Sequence, residues 1–245
     1  MEPSEYRAIY TVEDRHWWYA GMARISRTLL TAAYPDRRDL RILDAGCGTG
    51  GALDFLAHFG AVTGSDISPL ALAYSRARGH AALNQASVTA LPYAAASFDL
   101  VTSFDVLYHR AVGDPRLALG EFRRVLSPGG RVLLRLPAYD WLRGGHDAVV
   151  HTARRFTTTT LGASLRETGF AIERLTYANT LLFPLAVAKR LLERLAPAAA
   201  AHSDVAANPA WLDALLARPL AAEAAWLRRR DLPLGLSVVA LARRA

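Results

Sequence analysis

The segment Arg41-Ile42-Leu43-Asp44-Ala45-Gly46-Cys47-Gly48-Thr49-Gly50-Gly51 constrains this chain more than any other. An apolar run ends in an acid and passes into a glycine-rich turn that opens a helix. Glycine carries no Cβ, so such a turn lets the backbone approach a small charged ligand closely. The N–H groups at the helix start then point at that ligand.

Two readings of the turn compete. Gly46-x-Gly48-x-x-Gly51 fits a dinucleotide fingerprint, with Asp66 at the distance of a ribose partner. Asp44-x-Gly46-x-Gly48-x-Gly50 instead places an acid at the strand end. A carboxylate there repels a pyrophosphate and attracts a cationic ligand group. Asp44 therefore favours the second reading.

Further along, apolar runs alternate with helical patterns. Strands are expected at 40–45, 61–66, 80–86 (a weak one), 98–103 and 131–136. Helices are expected over 50–59, from Pro69 to about Arg78, and from Pro115 to just before Pro128-Gly129-Gly130. This alternation predicts a parallel sheet with helices on both faces. Residues 1–33 read as helical, with an aromatic density set by Tyr6, Tyr10, Trp17, Trp18 and Tyr19. Late strands are expected over 170–177 and 236–241. Helical segments over 180–196 and 208–229 lie between them, joined by an alanine-rich linker around Pro197 to Ala201. The expected division is a helical lid over 1–37, a cofactor-binding core over 38–178, a helical cap inserted over 179–234, and a final core strand over 235–245.

Composition bounds the chemistry. The chain has 245 residues, 52% hydrophobic and 21% charged, which suits a globular fold with one core plus a cap. Cys47 is the single cysteine, so neither a disulfide framework nor a cysteine metal cluster is available. Within the glycine turn it reads as packing filler. The formal charge is +7, yet Lys189 is the only lysine and the arginines come in scattered pairs, with Arg228 to Arg230 the longest run. No segment interleaves arginine with aromatics as a base-stacking surface does, so nucleic acid is not the expected partner. The acidic start Met1-Glu2-Pro3-Ser4-Glu5 is no secretory signal. The apolar run Thr180 to Ala188 is cut short by Lys189, well below the roughly 20 residues of a membrane span. A cytoplasmic chain without stable membrane association is expected.

Taken with the segments Gly64-Ser65-Asp66-Ile67-Ser68, Ala90-Leu91-Pro92-Tyr93, Ser97-Phe98-Asp99-Leu100-Val101, Asp105-Val106-Leu107-Tyr108-His109 and Glu121-Phe122-Arg123-Arg124-Val125-Leu126-Ser127-Pro128-Gly129-Gly130, the glycine turn resembles the class I S-adenosylmethionine-dependent methyltransferases, of the small-molecule, type-11-like kind. The resemblance covers roughly residues 38–178 plus the last strand. It implies an α/β fold, a doubly wound, mostly parallel seven-stranded sheet with an antiparallel last strand, and S-adenosylmethionine as cofactor. Carried over by position, Asp44, Ala45, Gly46 and Gly48 would surround the methionine portion. Asp66 would accept from both ribose hydroxyls, and Ile67 would pack on the adenine. Ser87 stands where the family often has an acid facing the adenine amino group, and Val88 would read the adenine edge through its backbone. Ser103 and Trp18 complete the expected cofactor set.

Methyl transfer from a sulfonium is an in-line displacement that needs alignment, exclusion of water and, for a hydroxyl acceptor, a base. His109, after the fourth strand, is one candidate base; its plainer reading is a residue that orients the loop. His146, Asp147 and His151, after the fifth strand, are another candidate set, as a carboxylate–imidazole system, as metal ligands, for which two histidines and one acid in a loop are a weak pattern, or as residues that tie down the loop. No metal is expected. Arg154 and Arg155 suit an anionic substrate group. His16, Tyr19, Tyr108, Tyr139 and Arg155 are the expected acceptor-binding residues, with the aromatic arm closing over the sulfonium. The apolar cap, with Leu181, Leu182, Leu185 and Leu192, suits a small acceptor with apolar bulk, and is compatible with a homodimer. The expected activity is methylation of an oxygen, nitrogen or carbon of a small organic molecule, in specialised metabolism. A non-methylating cyclisation or rearrangement on the same cofactor is the alternative. A nicotinamide oxidoreductase and a macromolecular methyltransferase are further readings.

Overall fold

A computed structural model of the chain describes residues 1–195 and 207–245. The linker expected around Pro197 to Ala201 lies outside the described residues. The sheet has seven strands: β1 (Leu40–Ala45), β2 (Gly60–Asp66), β3 (Leu83–Gln85), β4 (Phe98–Phe104), β5 (Leu126–Pro137), β6 (Phe170–Ala178) and β7 (Ser237–Arg244), in the order β3-β2-β1-β4-β5-β7-β6. β1 lies between β2 and β4, all parallel, with Leu43 opposite Thr63 on one side and Val101 on the other. β7 runs antiparallel to both β5 and β6, so Ala240 faces Leu134 and Leu175. The doubly wound sheet with its antiparallel last strand is as the sequence predicts.

Alternation along the strands builds a core on each face. Leu43, Val101 and Leu134 point to one face, where they meet Leu119 and Phe122 of α5 (Pro115–Val125) and Leu161 of α7 (Thr158–Glu167). Ile42, Leu100 and Leu133 point to the other. There they meet Met22, Ile25 and Leu29 of α2 (Trp17–Ala33), Phe55 and Leu56 of α3 (Gly51–Leu56), and Leu220 of α9 (Ala210–Trp226). Strands buried on both faces read as continuous apolar runs, and β1 accordingly exposes only Arg41. α9 lies against α2 so closely that a Cβ on Gly21 would sit 2.2 Å from Leu220 Cδ1.

The helix starts follow local chemistry. Pro69 opens α4 (Pro69–Ala77), and the Ser68 hydroxyl accepts from Ala71 N at 3.3 Å. α1 (Pro3–Val12) precedes α2, while α6 (Gly145–Val149) follows β5 and α8 (Phe183–Leu195) follows β6. Some elements differ from expectation. The third strand shrinks to Leu83–Gln85. β5 begins at Leu126, because the Pro128-Gly129-Gly130 turn is absorbed as a register shift against β4 between Phe98 and Leu100. α7 forms where the sequence suggests no element. Its threonine-rich start hides the helical period, yet Thr157 caps it by accepting from Thr160 N at 3.1 Å. No helix among the described residues is long and apolar enough to cross a membrane. The C-terminal ends of β1, β2, β4 and β5 share one edge, and the site opens there.

Candidate active site

The turn after β1 is built on glycines that a side chain would disrupt. Gly46 has φ +85°, and a Cβ on it would sit 2.3 Å from Val106 Cγ2. Gly48 has φ +56° and faces open space, so its backbone is accessible. The amides of Gly46 and Cys47 donate to the Ser65 carbonyl at 2.7 and 2.9 Å, which ties the turn to β2. Cys47 packs with Leu53 and Leu72, and burial pushes its thiol up; it is filler, as the sequence suggests.

Asp66 closes the turn from the other side. Its carboxylate accepts from Gly48 N at 3.0 Å and from Ser68 N at 2.8 Å. Each oxygen keeps a further lone pair, which leaves room for ribose hydroxyls. Burial raises its carboxyl above the usual range. Asp44, only 1% exposed, accepts from the Thr102 hydroxyl at 2.6 Å. Burial pushes its carboxyl up to about 7, while the Thr102 hydrogen bond and the Arg135 charge pull the other way. A buried acid whose donor is a neutral hydroxyl, set in a cavity wall, suits a cationic ligand group. Ile67, 55% exposed, Ser87 and Val88 continue the wall past Asp66. The Ser87 hydroxyl is already paired with Thr89, 2.8 Å from its Oγ1 and 3.2 Å from its amide. Ala45 and Ser103 lie behind the wall, where the Ser103 hydroxyl donates to Ala45 O at 2.8 Å and so joins β4 to β1.

The cavity has a volume of about 1300 Å³. Tyr6 and Ile9 of α1, then His16, Trp18 and Tyr19, line it from the arm, and Leu182 just before α8, Leu185 of α8 and Leu216 of α9 line it as well. His16 caps α2, its Nδ1 accepting from Trp18 N at 3.3 Å, and burial lowers its pKa. Tyr19 and Tyr108 also line the cavity, and burial keeps both phenols protonated. Arg135 of β5 was not picked out from the sequence. It lies between the Trp18 and Phe104 rings, at 4.8 and 4.9 Å, and pairs with Asp105 at 2.7 Å. Its signal is a lone cation inside the apolar run of β5.

Of the candidate bases, His109 and His151 meet at the Met1 amine with ring centroids 5.6 Å apart, and neither is paired with Asp147. His109 Nδ1 accepts from Ala111 N at 3.1 Å and so caps a short helical turn, Arg110–Val112. Its Nε2 lies 3.0 Å from the Met1 amine, so both ring nitrogens are already engaged. Burial and the neighbouring amine and His151 lower its pKa to about 4. The loop-orienting reading fits this geometry. Asp147 does not fix a histidine. It takes the Arg155 guanidinium at 3.0 and 2.9 Å and the Gly144 amide at 2.7 Å. The same pairing occupies the fork of Arg155 that an anionic substrate would use. His151 turns to Glu2, at 2.8 Å, and lies outside the cavity wall, whereas His146 stands 3.8 Å from Glu5. Residues close in sequence are thus directed apart. Arg154 donates to the Gly113 carbonyl. Tyr139 is not in the cavity wall either; it stacks on Tyr177 at 5.2 Å, beside Trp141 and Phe183. Among the described residues no group of three or more histidine, cysteine or acidic side chains can hold a metal.

The profile of the methyltransferase domain family matches residues 43–134, the stretch that contains the glycine turn, Asp66 and the first half of β5. The malonyl-[acyl-carrier protein] O-methyltransferase of Enterobacter lignolyticus is 40% identical over 125 residues, 49% of this chain and 48% of that protein. The demethylmenaquinone methyltransferase of Clavibacter sepedonicus is 36% identical over 136 residues, 52% of this chain and 54% of that protein. The chain thus spans about half the length of the curated relatives it matches. Among solved structures, a chain from the complex of the Haloferax volcanii Trm112 methyltransferase activator superposes with a TM-score of 0.62 at 21% identity, covering 99% of this chain and 93% of that one. That last likeness is one of fold.

Proposed function

We propose that this chain, which belongs to the class I S-adenosylmethionine-dependent methyltransferases, methylates a small organic acceptor with apolar bulk. The observation that carries the reading is the placement of Asp44, the glycine turn and Asp66 in the wall of one large, largely apolar cavity. S-adenosylmethionine, when bound, supplies a methyl on a positive sulfur, electrophilic without metal help. Asp44 would hold its α-ammonium, the Gly46 and Gly48 backbone its methionine portion, Asp66 its ribose, and Ile67 with Val88 its adenine.

The chain's own residues then align the acceptor and keep water out. Trp18 and Tyr19 from the arm, with Leu182, Leu185 and Leu216, line the cavity. Both ring nitrogens of His109 are engaged, by the Ala111 amide and the Met1 amine, so on this reading it orients the loop and does not take a proton. Tyr108 and Tyr19 remain phenols and act as hydrogen-bond donors. A site without an assembled base suits an acceptor that is already nucleophilic near neutral pH, such as a carboxylate, a phenolate, a neutral amine or an electron-rich ring carbon. The names of the relatives, a malonyl-carrier O-methyltransferase and a demethylmenaquinone methyltransferase, support this range.

Calorimetric titration with S-adenosylhomocysteine, with a nicotinamide dinucleotide as control, tests the reading. Micromolar binding of the first and none of the second is expected. Binding of the dinucleotide alone overturns it.

A further inference from the structure

We propose that the outer face of α8 and α9 docks reversibly on an anionic lipid surface. α9 is apolar on two sides. Leu220 and Ala224 face inward, in the core with α2. At about 100° per residue, Trp211, Leu215 and Trp226 fall within about 60° of one another on the far side. They are 68%, 50% and 51% exposed. On α8 and the residues just before it, Leu181, Leu185 and Leu192 form a second stripe, 58%, 65% and 67% exposed. A helix that faces only water does not keep an apolar outer stripe, and exposed apolar stripes of this kind mark a contact surface.

The charges beside the stripes select what that contact is. Lys189 and Arg218 are exposed on the same stripes, and Arg228, Arg229 and Arg230 are exposed just past the end of α9. Arg230 lies over the Trp226 ring at 5.6 Å. The nearby acids are engaged elsewhere. Buried Glu223 accepts from Leu181 N at 2.7 Å, Asp213 from Trp17 N at 3.2 Å, and Asp231 pairs with Arg174 at 2.7 Å. Glu193 pairs with Arg190 at 2.7 Å and with Lys189 at 3.7 Å, so the cationic character of this face rests on Arg218 and on Arg228 to Arg230. Among the described residues, then, this face offers tryptophan, leucine and cations. Such a combination suits the boundary between acyl chains and anionic headgroups. A second copy of the chain is the poorer occupant, since a two-fold contact would bring the same cations together.

Leu185 belongs both to the exposed stripe and to the cavity wall. Docking therefore turns that side of the cavity toward the lipid. On the methyltransferase reading, on which this last step alone rests, the acceptor is a lipid-soluble compound.

Sedimentation of the full chain with vesicles of phosphatidylcholine, with and without phosphatidylglycerol, tests the docking. Binding to the anionic vesicles is expected, weakening with salt. It should fall by about tenfold or more when Arg228, Arg229 and Arg230 are all changed to alanine. Trp211→Ser with Trp226→Ser should lower it as well. Circular dichroism and S-adenosylhomocysteine affinity should stay unchanged in both variants. Absence of binding to either vesicle overturns the proposal, as does binding indifferent to the arginines. A dimer that Trp211→Ser with Trp226→Ser converts to monomer, without vesicle binding, assigns the face to self-association and overturns it too. Failure of S-adenosylhomocysteine to bind, with vesicle binding intact, removes the methyltransferase reading and leaves the docking standing.

Discussion

Thr49, inside the glycine turn, donates its hydroxyl proton to the carboxylate of Glu13, which ends the first helix of the N-terminal arm. Arg78 joins them, with Nη2 on Glu13 at 2.8 Å and Nε on the Thr49 carbonyl at 2.9 Å. The arm is thus fastened to the glycine turn proposed to receive the cofactor. Arg78 and Glu13 are only 10% and 9% exposed, so removing one leaves the other buried without its charge partner. Arg78→Ala should cost about 3 kcal/mol in denaturant unfolding and weaken S-adenosylhomocysteine binding. Unchanged values of both would show the arm to be independent of the turn.

Asp66→Ala should weaken cofactor binding by about 2 kcal/mol or more, since a charged acceptor of two hydroxyls is lost. Asp66→Asn separates this from scaffolding. It retains one oxygen for the Gly48 or Ser68 amide and should preserve more of the fold than of the affinity. Equal affinity in wild type and Asp66→Ala, by calorimetry, would reject the ribose assignment.

The Asp44 carboxyl, pushed up to about 7 by burial, sets a pH dependence. The folded chain keeps this proton to near neutrality, whereas the unfolded chain loses it near the ordinary value of about 4. Between these values the folded state holds more protons, so this group's contribution to stability falls as pH rises through that window. A cationic ligand group pairs with the ionised form. Affinity for S-adenosylhomocysteine should therefore rise with pH up to about 7 and then level. Asp44→Asn should bind weakly with a flat profile and melt higher than wild type above neutrality. Parallel profiles for the two proteins would remove Asp44 from the ammonium site.

His109→Ala should lower turnover by less than about tenfold, because the ring caps a turn and both its nitrogens are engaged, whereas a general base contributes about a hundredfold or more. Single-turnover methyl transfer with the identified acceptor decides it, and a loss of a hundredfold would return His109 to the role of base.

What could be read from the sequence was what is contiguous in it. β1 and β4 are buried on both faces and read as apolar runs, and Asp44, Gly46, Gly48 and Asp66 stand at the ends of such runs. The clamp of Glu13, Thr49 and Arg78 was not readable, because its members lie far apart along the chain and arginine is common throughout it. The trio His146, Asp147 and His151 stayed open between chemistry and a loop tie for the opposite reason. Neighbours in sequence suggested convergence, but the short helix α6 sends Asp147 back to Gly144 and across to Arg155. Arg135 could have been found: an arginine within Val132-Leu133-Leu134-Arg135-Leu136 must be buried beside a counter-charge or at a site, and it is both.

Ala178, the last residue of β6, lies directly opposite Ser237, the first residue of β7. Everything between them, α8 and α9 included, leaves and re-enters the sheet through adjacent rungs of one ladder. The sheet is therefore rejoined on the rung where it was left, but the stretch between is not free of it, because Leu220 and Ala224 of α9 sit in the core with α2. Tolerance to insertion or exchange belongs to the outer side of that stretch, where Trp211, Leu215 and Leu192 are exposed.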